Sequence, residues 1–396
     1  MNGYLESGRK ILRLLNEKGY QAYFVGGFVR DFLLGIPSSD IDIATSATPD
    51  EVTALFPGAK ATGVKYGTVT VFTDGFGFET TTFRSEGGYQ DSRHPGTVAF
   101  TDSLAHDLER RDFTVNAMAM DADGKIHDRF GGRQDLENKS LRAIGEAKKR
   151  FEEDALRILR AFRFVAKLDF DIEPATFASI CASRHLIANI SNERVLNEMK
   201  YIVRSPFAAK AYRLMADSGI LADIPALEKG VTFLAGRGPV VLTIEQFYAL
   251  CFYLNGGDVP EGWRFSNRER QKIERIATLV EVTAEDDYDE LLVYVNGLEL
   301  CLAANAVRVA LDPSRDRERL IRGIDTALPI HKTCELAFKG EDILKLTKLR
   351  DARLIGDVID ELTHQVITGR LPNEREALRA YASIQLREMG VEDDGE

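Results

Sequence analysis

The chain has 396 residues, 44% hydrophobic and 29% charged, with a formal net charge of −11. That length predicts two to four domains, and no apolar run reaches the roughly 18 residues that suggest a membrane span. Cys181, Cys251, Cys301 and Cys334 fit no zinc spacing and read as buried free thiols in a reducing cytoplasm.

The N-terminus, Met1-Asn2-Gly3-Tyr4-Leu5-Glu6, has neither a basic start nor an apolar stretch, so no signal peptide is expected. Residues 4–19 carry Leu5, Ile11, Leu12, Leu14 and Leu15 among Lys, Arg and Glu, which predicts an amphipathic helix. Tyr23-Phe24-Val25 then reads as a short strand. Gly26-Gly27 permits a tight turn whose backbone N–H groups can approach a phosphate. Val29, Phe32 and Leu33 recur at helical spacing, and Gly35-Ile36-Pro37 stops that helix. Asp40-Ile41-Asp42-Ile43 alternates with period two, which on a strand puts Asp40 and Asp42 on one face. Two adjacent carboxylates repel unless a cation lies between them, and Mg²⁺ suits oxygen ligands. A solvated Asp-x-Asp is the competing reading, against which stand the adjoining Gly-Gly turn and Arg30. A phosphate-cradling turn beside a metal-holding pair describes nucleotidyl transfer.

Gly26-Gly27-Phe28-Val29-Arg30-Asp31 followed by Asp40-Ile41-Asp42 resembles the signature of the class II tRNA nucleotidyltransferases. These are the CCA-adding enzymes and bacterial poly(A) polymerases of the polymerase-β-like superfamily. The resemblance implies an α+β fold, with a nucleotidyltransferase head of mixed sheet and helices followed by an all-helical elongated neck, body and tail. It implies catalytic, metal-holding Asp40 and Asp42, with Gly27 and Arg30 on the nucleotide.

Further along, Ser46-Ala47-Thr48-Pro49-Asp50-Glu51 combines a capping residue with Pro and early acids and starts a short helix. Strands are predicted from Gly67 to Phe72 and from Phe76 to Phe83, joined by an Asp74-Gly75 hairpin turn. Glu79 on the second strand is either a third carboxylate for the metal or a solvated residue. Ser85 to Val98 is polar and rich in Gly and Pro, a loop. In the family this sequence resembles, the loop at that place helps switch from adding C to adding A. Leu108 to Met120 resembles the family's Arg-Arg-Asp-Phe-Thr-x-Asn-Ala motif. Arg111 would answer triphosphate charge with a planar fork of donors, and Asp112 and Asn116 would hold the ribose. His106-Asp107 and His127-Asp128 do not amount to a metal-dependent phosphohydrolase domain, because the six histidines are scattered.

Phe151 to Phe164 resembles the family's Glu-Asp-x-x-Arg motif. It reads as one helix with Ala155, Ile158, Leu159, Phe162 and Val165 on the buried arc and Asp154, Arg157, Arg160 and Arg163 stepping round the other side. Cytosine and adenine both offer an amino donor beside a ring-nitrogen acceptor, whereas uracil and guanine present the reverse. A fixed carboxylate (Asp154) with a guanidinium (Arg157) therefore accepts C and A and leaves mismatched U and G unpaired. By resemblance Arg160 and Arg163 also contact the nucleotide. In the following helix Arg194 and Glu198 are spaced for one salt bridge.

Beyond about Ser205 the pattern is helical. Arg315, Arg317, Arg319, Arg322, Lys332, Lys339, Lys345, Lys348, Arg350 and Arg353 suggest a phosphate-facing surface for an RNA stem, or helix faces balanced by neighbouring acids. Gly369-Arg370-Leu371-Pro372-Asn373 reads as a turn before the last helix, and Glu392 to Glu396 as a frayed end. The expected domains are a head (1–138), a neck (139–205), a body (206–315) and a tRNA-binding tail (316–396). The reading as a whole is Mg²⁺-dependent, template-independent addition of C, C and A to the 3′ end of tRNA from CTP and ATP, with the tRNA 3′ end and acceptor stem as partner and no membrane partner. Oligomeric state stays open, a homodimer included. The alternatives are a poly(A) polymerase or CC-adding enzyme of the same family, or a non-catalytic RNA-binding module.

Overall fold

The computed structural model describes residues 2–38, 40–63, 66–87, 97–346 and 352–390. The chain divides into two units, residues 1–241 with 260–264, and residues 242–259 with 265–396.

The first unit opens with α1 (Asn2–Glu17), whose Ile11, Leu12 and Leu15 are buried. Next come β1 (Ala22–Val25), α2 (Gly27–Leu33), β2 (Asp42–Thr45) and α3 (Pro49–Leu55). Thr48 and Glu51 form a capping box at the start of α3, with Pro49 in its first turn. The strands β3 (Lys60–Gly63), β4 (Thr68–Thr73) and β5 (Phe76–Thr82) follow. Asp74 (φ 51) and Gly75 (φ 82) both take positive φ between β4 and β5, the two-residue turn expected of Asp-Gly. Then come β6 (Arg84–Gly87), β7 (Thr97–Phe100), α4 (Leu104–Glu109), β8 (Met118–Met120) and β9 (Ile126–Asp128). Seven strands form one sheet in the order β3-β4-β5-β2-β1-β8-β9. Among the described residues of this sheet, only the β2–β5 pairing is parallel.

Helices α5 (Gly132–Glu137), α6 (Ala147–Glu153), α7 (Leu156–Leu168), α8 (Pro174–Ser183) and α9 (Asn192–Val203) continue this unit. The expected apolar arc of α7 is buried at Ala155, Ile158, Leu159, Phe162 and Val165. The expectation of one helix through Asp154 fails, however. Asp154 is extended (φ −144, ψ 104) between α6 and α7, and its carboxylate accepts the backbone N–H of Leu156 at 3.0 Å. A short acidic side chain that satisfies a helix-start N–H competes with helix continuation.

The described elements of the second unit are all helices, from Ile244–Leu254 to Arg375–Glu388. Its core gathers Ile321, Ile343, Val358, Leu362, Leu378 and Leu386. No single described helix is long and apolar enough to cross a membrane. Cys251 and Cys301 are buried as expected, but Cys181 is half-buried and Cys334 exposed.

Candidate active site

Asp42 opens β2 and pairs with Val25 of β1, directly ahead of the Gly26-Gly27 turn. Asp40 lies two residues before the strand rather than on it, and is exposed. The two carboxylates nevertheless sense each other. Burial first, and then the Asp40 charge, push the Asp42 carboxyl up to about 6; Arg111 opposes the rise and Glu79 adds to it. Glu79 precedes Thr80, the partner of Ile43, so register sets it beside Asp42 on the parallel strand. No described group of three His, Cys, Asp or Glu side chains is arranged as a metal cluster.

Gly26 takes φ 70 and ψ −134, a conformation reserved for glycine. A Cβ there would stand 2.8 Å from Nη1 of Arg111 and 3.9 Å from Oδ2 of Asp42. Gly27, the glycine expected at the phosphate, has an ordinary backbone, and its Cβ would make a normal 3.5 Å contact with Arg30. Arg111 is anchored by Nη2 to Asp107 at 3.2 Å, and Arg110 by Nη2 to the same buried carboxylate at 2.8 Å. The histidine-aspartate dipeptide at 106–107 thus supplies an arginine anchor.

Arg30 is buried and committed inward, Nε to Asp31 at 2.8 Å and Nη1 to the side-chain Oδ1 of Asn116 at 2.6 Å. Asn116 in turn donates to Asp112 Oδ1 at 3.0 Å, which also accepts the Phe113 N–H at 2.8 Å. Asp112 Oδ2 takes Nε of Arg160 at 2.7 Å. Burial pushes the Asp112 carboxyl up, but the Arg160 charge and these hydrogen bonds outweigh it and hold it at about 2. Lys167 closes the chain of contacts on Asp31 at 3.0 Å. The two residues expected at the ribose are therefore ordered by each other and by two arginines.

Across the break, the Arg157 backbone N–H donates to the Asp154 backbone carbonyl at 3.0 Å, but the two side chains turn to other partners. Arg157 donates Nη1 to Glu153 at 2.8 Å and to the Arg150 carbonyl at 3.1 Å, and Nη2 to the Arg110 carbonyl at 2.8 Å. Arg194 donates to both oxygens of Asp154, at 3.2 and 3.0 Å. The expected Arg194–Glu198 salt bridge is thus replaced, and Glu198 receives Arg163 at 3.3 Å. The reason is the break itself, which turns the Asp154 carboxylate toward α9.

One cavity of about 1080 Å³ unites these groups. Its lining includes Gly26, Gly27, Arg30, Asp40, Asp42, Arg111, Asp112, Asn116, Asp154, Arg157, Arg160 and Arg163. Every expected site residue except Glu79 is present there. Sequence reasoning missed the contributions of Tyr66, Arg84, Arg110, Phe164, Lys167, Arg194 and Tyr201 to the same wall. Arg84 and Lys167 carried a detectable signal as cations bordering motifs. Nine cationic side chains face four carboxylates in this lining, so the cavity attracts anions although the chain is acidic overall.

In the second unit, several of the basic residues expected to face RNA are paired locally. Arg317 meets Asp287 at 2.7 Å, Arg322 meets Glu318 at 2.8 Å, and Lys345 meets Asp342 at 3.5 Å. Lys348 and Arg350, most of the 85–98 loop and the acidic C-terminal end lie outside the described residues.

Comparison with known proteins extends beyond the site. Residues 22–142 match the Poly A polymerase head domain, 169–230 the RNA and SrmB-binding site of polymerase A, and 244–382 the tRNA nucleotidyltransferase domain 2. A CCA-adding enzyme of Geobacillus thermodenitrificans is 40% identical over 94% of this chain and 95% of its own. One from Streptococcus pyogenes is 36% identical over 95% and 96%. The crystal structure of the Bacillus stearothermophilus CCA-adding enzyme in complex with CTP superimposes with a TM-score of 0.84, at 36% identity, covering 97% of this chain and 98% of that one. Similarity of that depth along the whole chain, over a cavity built from the three motifs, means that this protein belongs to the CCA-adding enzymes, a family of tRNA nucleotidyltransferases.

Proposed function

We propose that the protein adds C, C and A in turn to the 3′ end of tRNA, using CTP and ATP and releasing pyrophosphate. The observation that carries this reading is one cavity lined both by Asp40 and Asp42 and by Asp154 and Arg157. A solved relative 36% identical to this chain binds CTP.

Asp40 and Asp42 fit a divalent cation. Asp42, with its carboxyl up to about 6 beside a second carboxylate, belongs to a pair short of positive charge. These two would hold Mg²⁺, with Glu79 as the candidate third carboxylate. A divalent cation held by these residues would supply positive charge for the tRNA 3′-hydroxyl and the departing pyrophosphate. Arg111, held on Asp107 beside Gly26, answers the triphosphate, and Gly27 and Arg30 shape that end. Asp112 and Asn116 meet the ribose already ordered.

Base choice rests on Asp154 and Arg157. Three N–H groups of Arg157 are tied to Glu153 and two backbone carbonyls, which fixes the plane of its fork and leaves two of the five for a base. Arg194 fixes the carboxylate of Asp154 in the same way. Arg160 and Arg163 complete the nucleotide wall. We divide the chain functionally into head 1–138, neck 139–205, body 206–315 and tRNA-binding tail 316–396, and place it in the cytoplasm.

The test is incubation with Mg²⁺ and a tRNA transcript lacking its 3′ end, with the four nucleoside triphosphates given singly and together. Two additions from CTP alone, three from CTP plus ATP, and none with the Asp40→Ala/Asp42→Ala double variant are expected. Long A-tails from ATP alone would make it a poly(A) polymerase, two C additions and no A a CC-adding enzyme. No incorporation at all would leave an RNA-binding module.

A further inference from the structure

Phe164 has no polar atom to offer a nucleotide, yet it lines the cavity while being 5% exposed. Three guanidinium carbons stand round its ring: Arg163 at 5.0 Å from the centroid, Arg30 at 5.2 Å and Arg160 at 5.3 Å. All lie within the roughly 6 Å over which a cation is drawn to an aromatic face. Each guanidinium is tied on its other side to a carboxylate from a different element. Arg30 meets Asp31 on α2, Arg160 meets Asp112 ahead of the Thr114–Asn116 turn, and Arg163 meets Glu198 on α9. Three ion pairs thus converge on a single ring. The ring itself is braced edge-on by Phe113 at 5.9 Å.

Three like charges gathered at one ring repel, and each is also paired with a carboxylate. The negative faces of the ring oppose that repulsion. An aliphatic side chain of similar volume would fill the space but supply no such attraction. Arg163 is further layered against Tyr201 at 5.1 Å, so its plane is set from both sides.

We propose that Phe164 is a positioning residue, an aromatic spacer that holds Arg30, Arg160 and Arg163 at the spacing the nucleotide requires. It acts through those arginines and touches no reacting atom. The proposal rests on the nucleotidyl-transfer reading above and adds to it a residue with no hydrogen bond to give.

The test compares Phe164→Leu, Phe164→Met and Phe164→Tyr with the unaltered protein, each with thermal unfolding recorded and with KM and kcat measured separately for CTP and ATP on the truncated tRNA. Equilibrium binding of CTP without turnover gives a second readout. The aliphatic variants should stay folded, raise KM and weaken CTP binding about tenfold, and change kcat little, while Phe164→Tyr stays within about twofold of the parent. Unchanged KM and CTP binding in Leu and Met overturns the proposal. So does a loss shared equally by all three variants, or a fall in kcat at constant KM, since each points to packing alone. An unaltered protein that incorporates nothing would instead sink the nucleotidyl-transfer reading.

Discussion

Arg194 on α9 holds both carboxylate oxygens of Asp154, at 3.2 and 3.0 Å, across 40 residues of sequence. A carboxylate that reads a base edge discriminates only if it cannot turn to suit the wrong one. The single nitrogen Nη2, shared between the two oxygens, together with the Leu156 N–H on Oδ1 supplies that rigidity, and lysine, a point charge on a more flexible stem, holds the carboxylate less firmly. Arg194→Met should therefore lower the preference for CTP over UTP, as the ratio of kcat/KM values, by on the order of tenfold. Arg194→Lys should recover only part of it. An undiminished preference in Arg194→Met would show that Asp154 is fixed by its bond to Leu156 alone.

Asp42 should destabilise the metal-free protein at neutral pH. Its carboxyl, raised to about 6 by burial and by Asp40, ionises in the native state only at higher pH than in the unfolded chain. The native state then binds more protons between about pH 4 and 6, so stability falls as pH rises through that window. The rise corresponds to on the order of 2–3 kcal/mol at pH 7. Asp42→Asn in EDTA should match the parent near pH 4 and exceed it by up to about that amount at pH 7, in urea unfolding. Adding Mg²⁺ should stabilise only the parent. An equal response to Mg²⁺ would remove Asp42 from the metal site.

Much of this was legible because the motifs are local. The Asp-Gly turn, the capped helix start within 46–51 and the apolar arc from Ala155 to Val165 follow from short-range spacing, and all are present. The break at Asp154 was not legible. The periodicity of α7 runs smoothly back through it, and only a long-range pull from Arg194 and a local bond to Leu156 take the backbone out of the helix. Partner choice among arginines failed for the same reason: spacing of four allows Arg194–Glu198, but tertiary contacts assign each to another residue. Phe164 was hidden because an aromatic residue on a helix reads as ordinary core.

Asp112 should contribute stability of the opposite sign in pH. Its carboxyl, held at about 2, is ionised in the native state below the unfolded value. The contribution is full above about pH 4 and is lost as pH falls toward 2. Asp112→Ala should cost about 2–3 kcal/mol at pH 7, less than the ~3–5 of a fully buried pair because Arg160 keeps 31% of its side chain exposed. The gap between parent and variant in urea midpoint should narrow as pH falls from about 4 to 3. A gap constant over that range would mean that Arg160 does not depend on the ionised form.

The two glycines of the opening turn should behave differently. Gly26 has φ 70 and a space that a Cβ would contest with Nη1 of Arg111 at 2.8 Å. Gly26→Ala therefore strains the backbone by about 1–3 kcal/mol and displaces the arginine, so both stability and CTP use should fall. Gly27 opens α2 with an ordinary backbone, where alanine is the better helix former by up to about 1 kcal/mol. Gly27→Ala should unfold no earlier than the parent, yet raise KM for CTP if a phosphate approaches that backbone closely. The unfolding midpoint and KM of each variant separate the two roles. Equal stability of the two variants would contradict the conformational argument, and an unchanged KM in Gly27→Ala would move the phosphate away from that residue.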